Sequence, residues 1–360
     1  MQRRLSGAPP IRLDDMDNNT KQQTIGASKM EVSLVIPVRD EAASIEQLLA
    51  SIAAQTHEPD EVVIVDGGSR DGTLKILREA RANNPKLRVI EASKATPGLG
   101  RNIGIANARH EWIALTDGGI RLDPQWLARL VEIAQSQPEL KIICGNFEPE
   151  IDSFFKECAS IAYVPPKTPT NHGSVRGPFI ASSLVKREAW YSVGGFPDLR
   201  ASEDLIFFDE IENKGHKMGW APGAVVYWEL RTTLWRTLSR FVSFSSANVW
   251  AGQKRRWHYV VLGYYLVSLP FVALAAFMSA WWLLVPMVIQ LARVGKNIWL
   301  NREGRGFFWV LNPLRFAYVL LITMAIDLAT FAGWLIALLK RGEAKRIRNH
   351  MLTRQRNERW

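Results

Sequence analysis

Two stretches near the C-terminal end carry almost no charge, and they restrict this chain more than any other feature. Tyr259 to Ala292 contains no Asp, Glu, Lys or Arg, and Phe316 to Leu339 contains one, Asp327. A single helix over the first stretch would measure about 50 Å against a hydrocarbon core of roughly 30 Å. A helical hairpin turning near Ser279–Trp282 is therefore expected, with Pro270 and Pro286 as kinks. The second stretch has the length of one span. Charge gathers beside these stretches: residues 251–360 hold 16 Lys and Arg against 4 Asp and Glu, while residues 1–250 hold 29 against 31. The net charge of +10 thus belongs to the apolar region, as expected for segments touching anionic lipid at a cytoplasmic surface. No basic stripe with interleaved aromatics marks the remainder, which argues against a nucleic-acid partner.

The basic stretches at 254–256, at 293–315 and from Lys340 onward all ask for the cytoplasmic side, and three crossing spans cannot satisfy that. Either the last segment re-enters or lies in the interface, or one basic stretch breaks the rule. Asp327 is a functional candidate by default, with polar helix packing or an interfacial role ahead of it.

Residues 1–29 are polar and lack the apolar core of a secretory signal, so a disordered lead-in is expected. From residue 30 strands and helices alternate. Val32–Val38, Glu61–Asp66, Leu87–Glu91 and Trp112–Thr116 read as buried strands. Helices are expected from Ser44 (a capping box with Gln47), over Asp71–Ala82, over Gly100–Ala108, and after Asp123 with Pro124 in the first turn. This alternation implies a mostly parallel sheet covered on both faces, with ligands outside its carboxyl edge. Beyond residue 141 the pattern loosens. Lys141–Phe147 and Phe179–Val185 read as strands, Glu157–Gly177 as a Pro-rich loop, Gly194–Gly195 as a turn, and Ser202 to Gly215 as a helix. Cys144 and Cys158 lack a metal-ligand spacing and read as ordinary thiols, and His172 reads as a surface residue.

Several side chains could carry chemistry. Asp66 ends a strand in VDGGSRDGT, where it either accepts donors of a base or ribose or simply makes a turn. Asp117, in LTDGG, either meets a hard divalent cation bridging diphosphate oxygens or is again a turn acid. Glu203 and Asp204 follow Ser202 at a helix start. Acids are favoured there for the helix's own sake, and the same field holds a carboxylate ionised and oriented as a general base requires. Arg101 and Asn102 follow a Pro-Gly-Leu-Gly loop, which is either an anion site or a solvated first turn.

Taken in order, VSLVIPVRDEAASIEQLLASIAAQT, EVVIVDGGSRDGT, GLGRNIGIANA, WIALTDGGIRLDPQWL and GGFPDLRASEDLIFFDEIENKG resemble the family-2 glycosyltransferases over roughly residues 31–230. The resemblance implies a GT-A fold, a Rossmann-like, mostly parallel α/β sheet of nucleotide-diphospho-sugar transferases, over residues 30–250. A membrane region over 251–340 and a basic cytoplasmic tail over 341–360 complete the expected organisation. It implies an inverting, hexosyltransferase-type enzyme at the cytoplasmic face of the inner membrane. A nucleotide-sugar, uridine-linked by family likeness, would be the donor, and a lipid-linked or cell-surface glycan the acceptor. Pro37, Arg39, Glu41, Asp66 and Gly68 would line the nucleotide pocket, with Asp66 on the base. Arg101, Asn102, Asp117, Gly119 and Glu203 would complete the donor site. Asp117 would be the first acid of the family's Asp-x-Asp motif, holding Mn²⁺ or Mg²⁺ against the diphosphate, and Asp204 the base. Here the motif reads Asp117-Gly118-Gly119, so its second acid is missing. Asp123 could substitute but reads better as a helix cap.

Two other functions compete. Polymerising relatives carry Gln-x-x-Arg-Trp before the membrane, and Gln253, Arg256 and Trp257 have that spacing. The match abuts the apolar stretch, where Arg and Trp occur for interfacial reasons, and Arg236–Gly252 better suits the acceptor-side helix. The third reading is a non-catalytic nucleotide-sugar-binding scaffold, against which the intact Glu203-Asp204 pair argues.

Overall fold

The computed structural model describes residues 30–170, 173–254 and 257–340. The expected lead-in over 1–29, the tail over 341–360, His172 and Arg256 lie outside the described residues. In chain order the elements are β1 (Val32–Val38), α1 (Ile45–Ala53), β2 (Glu61–Asp66), α2 (Thr73–Asn83), β3 (Leu87–Glu91), α3 (Pro97–Asn107), β4 (Trp112–Leu115), β5 (Ile120–Leu122), α4 (Trp126–Ser136) and β6 (Ile142–Glu150). There follow α5 (Phe154–Tyr163), β7 (Thr168–Thr170), β8 (Gly173–Val175), β9 (Ser183–Lys186), α6 (Arg187–Ser192), α7 (Glu203–Asn213), β10 (Met218–Glu229) and α8 (Leu234–Trp250). The apolar region supplies α9 (His258–Phe277), α10 (Leu284–Leu300), α11 (Phe307–Val310) and α12 (Pro313–Leu339).

Eight strands form one sheet in the order β3-β2-β1-β4-β9-β6-β10-β5, and β7 pairs with β8 apart from it. Strands β1, β2, β3 and β4 are mutually parallel, with Val35 opposite Val63 and Ser33 opposite Ile113. Their near-continuous apolar sequences follow from burial on both faces. Val32, Leu34, Ile36 and Val38 pack with Ile45, Leu48 and Ile52 of α1. Val35, Val63 and Val65 pack with Ile105 of α3 and Phe207 and Ile211 of α7 on the opposite face, as the two-residue period of a strand requires.

The sheet is mostly parallel with an antiparallel minority, four strand pairings against three. β9 runs antiparallel to β4 and β6, and β5 antiparallel to β10. Four local expectations change. Ser44 makes no helix-capping bond, and its hydroxyl instead donates to Glu41 Oε2 at 2.6 Å. The third helix begins at Pro97, capped by Thr96, whose Oγ1 accepts from Leu99 N–H at 3.2 Å; Pro suits that first turn. Asp123 makes an Asx turn with Gln125 N–H at 3.0 Å, and α4 starts just beyond it. The Pro-rich segment 157–177 is the end of α5 and the β7–β8 hairpin. There the paired prolines Pro165 and Pro166 follow the helix instead of replacing it.

The apolar helices pack on the sheet domain. Helices α9, α10 with the 3-10 turn before it, and α12 are each long and apolar enough to cross a membrane. Helices α9 and α10 form a hairpin whose tip exposes Phe277, Met278 and Trp281. Helix α12 differs, because it follows the domain for most of its length. Arg315 reaches Glu157 of α5, Tyr318 stacks edge-on against Phe154 at 5.4 Å, Ser245 of α8 donates to Thr330 O at 2.7 Å, and Trp250 donates to Ala337 O at 3.3 Å. Asp327, 1% exposed, receives a two-pronged bond from Arg293 of α10 at 2.6 and 3.0 Å and one from Tyr265 of α9 at 3.0 Å. This acid therefore joins three helices. Replacing Arg293 by Met should strand the buried carboxylate and cost about 3–5 kcal/mol. The double change with Asp327→Leu should recover most of that. Thermal inactivation in detergent reads both; equal loss in the single and double variants would refute the packing role.

Candidate active site

The candidate site lies at the carboxyl ends of β1, β2 and β4, where three loops meet the start of α7. The loops after β1 and β2 are stitched together: Asp40 N–H donates to Ser69 Oγ at 2.9 Å, Arg70 N–H to Asp40 Oδ1 at 2.8 Å, and Glu41 N–H to Thr73 Oγ1 at 2.8 Å. Asp66 is buried. Its Oδ2 accepts from Gly68 and Ser69 N–H, each at 3.0 Å, and its Oδ1 from Ser69 Oγ at 2.5 Å. The turn reading of this acid thus describes its bonds in the ligand-free protein. Pro37 lies under α3 at the strand end, and Arg39 is exposed beside Asp40 at 3.6 Å.

Arg101 organises the site. Its side chain is 2% exposed, yet it carries a charge. One guanidinium nitrogen meets Glu203 Oε1 at 2.7 Å and the other meets Asp117 Oδ1 at 2.5 Å. The fork of Arg suits this double pairing, and the two carboxylates raise its already high pKa. Arg101, one of the expected donor-site residues, is the buried counter-ion of two acids from different segments. Asn102 is also engaged internally. Its amide donates to Phe196 O at 2.7 Å and accepts from Phe196 N–H at 2.8 Å and Trp190 Nε1 at 3.0 Å. It clamps the Gly-Gly-Phe-Pro segment to α3. Gly98 permits that clamp, because a Cβ there would stand 2.0 Å from Pro197 O.

Glu203 and Asp204 open α7. Burial pushes both carboxyls upward, and the Arg101 charge pulls both back. Asp204 is half-buried and accepts from Leu205 N–H at 2.8 Å. Ser202, at φ +68, donates to Asn248 Oδ1 of α8 at 2.8 Å, so the helix that packs on α12 also fixes the residue beside the acid pair.

Three residues escaped the sequence. Asn248 is one; Arg231 and Arg240 are the others. Arg231 and Arg240 lie close enough to Glu41 to act on its charge, and Arg240 close enough to feel Asp117. Neither forms an ion pair among the described residues. Burial and the like charge of Arg231 lower the Arg240 pKa. The spacing of Arg236 and Arg240 along their helix carries no sign that Arg240 comes near Asp117, far away in the sequence. Gln253 donates to Asp209 Oδ2 at 2.8 Å, and Trp257 stacks on Phe241 at 5.5 Å; both serve the junction with the apolar helices.

The GT-A likeness implies a divalent cation. Among the described residues no three His, Cys, Asp or Glu side chains gather as a cage. A cage is unnecessary, since Mg²⁺-type sites use one or two carboxylates plus substrate phosphates. Asp117 supplies one such oxygen: Arg101 takes Oδ1, and Oδ2 accepts no hydrogen bond among the described residues. The residues fit the group.

Acids at the carboxyl edge of a curled mixed sheet, followed by helices long and apolar enough to cross a membrane, give this chain a GT-A-type fold. Residues 33–182 match the family model described as glycosyl transferase family 2. It is similar to glycosyltransferase AglE of Haloferax volcanii, 34% identical over 120 residues, covering 32% of this chain and 39% of the relative. It is also similar to the poly-beta-1,6-N-acetyl-D-glucosamine synthase of Staphylococcus aureus, 22% identical over 223 residues, covering 59% of this chain and 54% of the relative. The chain spans about half or less of the length of these curated relatives. A mannosyltransferase from Pyrobaculum calidifontis, solved with GDP-mannose and Mn²⁺, shares the fold at a TM-score of 0.54 and 18% identity, over 87% of this chain and 88% of that one.

The Arg101 hub yields a direct test. Arg101→Met should leave two carboxylates without their counter-ion, lower stability by about 3–5 kcal/mol and abolish activity. Arg101→Lys should fold better yet remain impaired, since an ammonium lacks the fork. Denaturant midpoints measure the first effect; an unchanged midpoint in Arg101→Met would refute the hub.

Proposed function

We propose that this chain transfers a sugar from a nucleoside-diphosphate sugar, uridine-linked, to a lipid-linked or cell-surface glycan acceptor at the cytoplasmic membrane face, with inversion. The observation that carries the reading is the Arg101 bridge, which brings Asp117 together with the Glu203-Asp204 pair at the start of α7. Asp204 takes the proton of the acceptor hydroxyl. The acceptor oxygen bonds to the anomeric carbon as the sugar–phosphate bond breaks on the opposite side, so the configuration inverts. Its position at a helix start favours the ionised form, and burial raises its proton affinity, a combination suited to a base. Asp66, Gly68 and the Pro37–Glu41 loop form the nucleotide side. Arg231 and Arg240 supply positive charge towards Asp117 and Glu41, where the diphosphate gathers negative charge. A divalent cation bound at Asp117 would neutralise the departing diphosphate.

The test is transfer in native membranes with a panel of labelled nucleotide sugars. Asp204→Asn should lose transfer by at least about a hundredfold, the usual scale for a general base, and keep nucleotide binding. Wild-type turnover in that variant would remove Asp204 from the role. Nucleotide binding without turnover in the wild type would point to a scaffold. A long polymer would point to processive synthesis; addition of one sugar is expected.

The packing of α12 against α5 and α8 supports a reading of the orientation. We infer that the α9–α10 hairpin crosses the membrane and that α12 lies at the interface against α5 and α8. This arrangement returns the basic stretches near residues 254 and 340 to one side, as positive-inside orientation requires. A cysteine introduced at Lys340 should react with an impermeant reagent from the cytoplasmic side, and one at Ser279 from the opposite side. Opposite-side labelling at 340 would make α12 a third span.

A further inference from the structure

The family motif that binds the cation has two acids, and this chain keeps one, at Asp117. The structure shows what occupies the space beside the missing one. Gly119 has φ +71, and a Cβ there would lie 3.2 Å from Glu41 Oε2. A Cβ at Gly118 would lie 2.8 Å from Glu41 Cγ and 3.3 Å from its Oε1. The volume in which a second acid at this turn would begin is therefore filled by a carboxylate from another loop.

That carboxylate is held in place. Glu41 N–H is fixed by Thr73 Oγ1 at 2.8 Å, and its carbonyl accepts from Ser44 and Ile45 N–H at 3.0 and 2.9 Å. Its Oε2 accepts from Ser44 Oγ at 2.6 Å, which is where the expected helix cap went. Oε1 accepts no hydrogen bond among the described residues. Asp117 has the same arrangement, with Oδ1 on Arg101 and Oδ2 without a donor. Each acid is thus anchored through one oxygen and presents the other. Burial raises the Glu41 pKa and the Asp117 charge raises it further, while Arg231 and Arg240 oppose the shift. Two anchored carboxylates that repel each other are relieved by a hard cation between them.

We propose that Glu41 is the second carboxylate of the cation–diphosphate site, in place of the acid absent at residue 119. This rests on the donor reading above and deepens it. Glu41 then does two jobs in the site, closing the loop over the nucleotide and completing the oxygen set for Mn²⁺ or Mg²⁺. The competing role is purely structural, as an acceptor for Ser44 that packs the glycine turn. Glutamine preserves that role, because its carbonyl still accepts from the hydroxyl, and removes the charge.

The experiment titrates Mn²⁺ into the purified full chain with UDP or GDP present, reading free Mn²⁺ by electron paramagnetic resonance. Nucleotide affinity in chelator is measured alongside. Glu41→Gln should weaken Mn²⁺ binding by at least about tenfold, a loss seen even for groups one shell removed from a metal, with nucleotide affinity in chelator held. Asp117→Asn should do at least as much. Glu41→Ala combined with Gly119→Asp should regain Mn²⁺ binding relative to Glu41→Ala alone, since Asp is among the residues that tolerate positive φ. Unchanged Mn²⁺ affinity in Glu41→Gln, with loss in Asp117→Asn, overturns the proposal and leaves the transferase reading intact. Wild type that binds nucleotide but not Mn²⁺ overturns it equally. Wild type that binds neither nucleotide overturns the donor reading beneath it.

Discussion

A guanidinium taken out of water must be paired on every side that matters, and the Arg101 pairings assemble the cleft. Its partners come from the Asp117 turn and from the first residue of α7, segments far apart in the chain. The buried charge is weak evidence for stability, since desolvation offsets much of the attraction. It is strong evidence for register, because any other position of α7 would leave a carboxylate or the guanidinium alone in a dry interior. Asn102, the next residue, clamps the segment leading to α7 through three hydrogen bonds. Together the two side chains fix where Asp204 stands.

The same acid pair is tied to the apolar region. Ser202 bonds to Asn248 on α8, and α8 bonds to α12 through Ser245 and Trp250. The start of α7, helix α8 and the apolar helices are one connected body. Arg293, Asp327 and Tyr265 keep α9, α10 and α12 in the register that this geometry needs.

Charge in the cleft is arranged in two layers. The inner layer sets the single charge of Arg101 between the carboxylates of Glu203 and Asp117. The outer layer sets Glu41 and the free oxygen of Asp117 near Arg231 and Arg240.

The sequence by itself determined the alternating domain, the strand-end acids Asp66 and Asp117, the acid pair at the start of α7 and the apolar character of the C-terminal region. These signals are local: a buried strand is an apolar run, a helix start takes acids, and a lipid-facing helix lacks charge. Strand β10 was hidden because Pro222 and Gly223 interrupt it at an irregular stretch between Trp220 and Val225. The partners of Arg101, the internal use of Asn102, the arrival of Glu41 at the glycine turn and the approach of Arg231 and Arg240 were decided by tertiary structure alone. Each depends on contacts between residues from 16 to more than 100 positions apart, and no periodicity or spacing along a chain encodes which distant charge will share a desolvated volume.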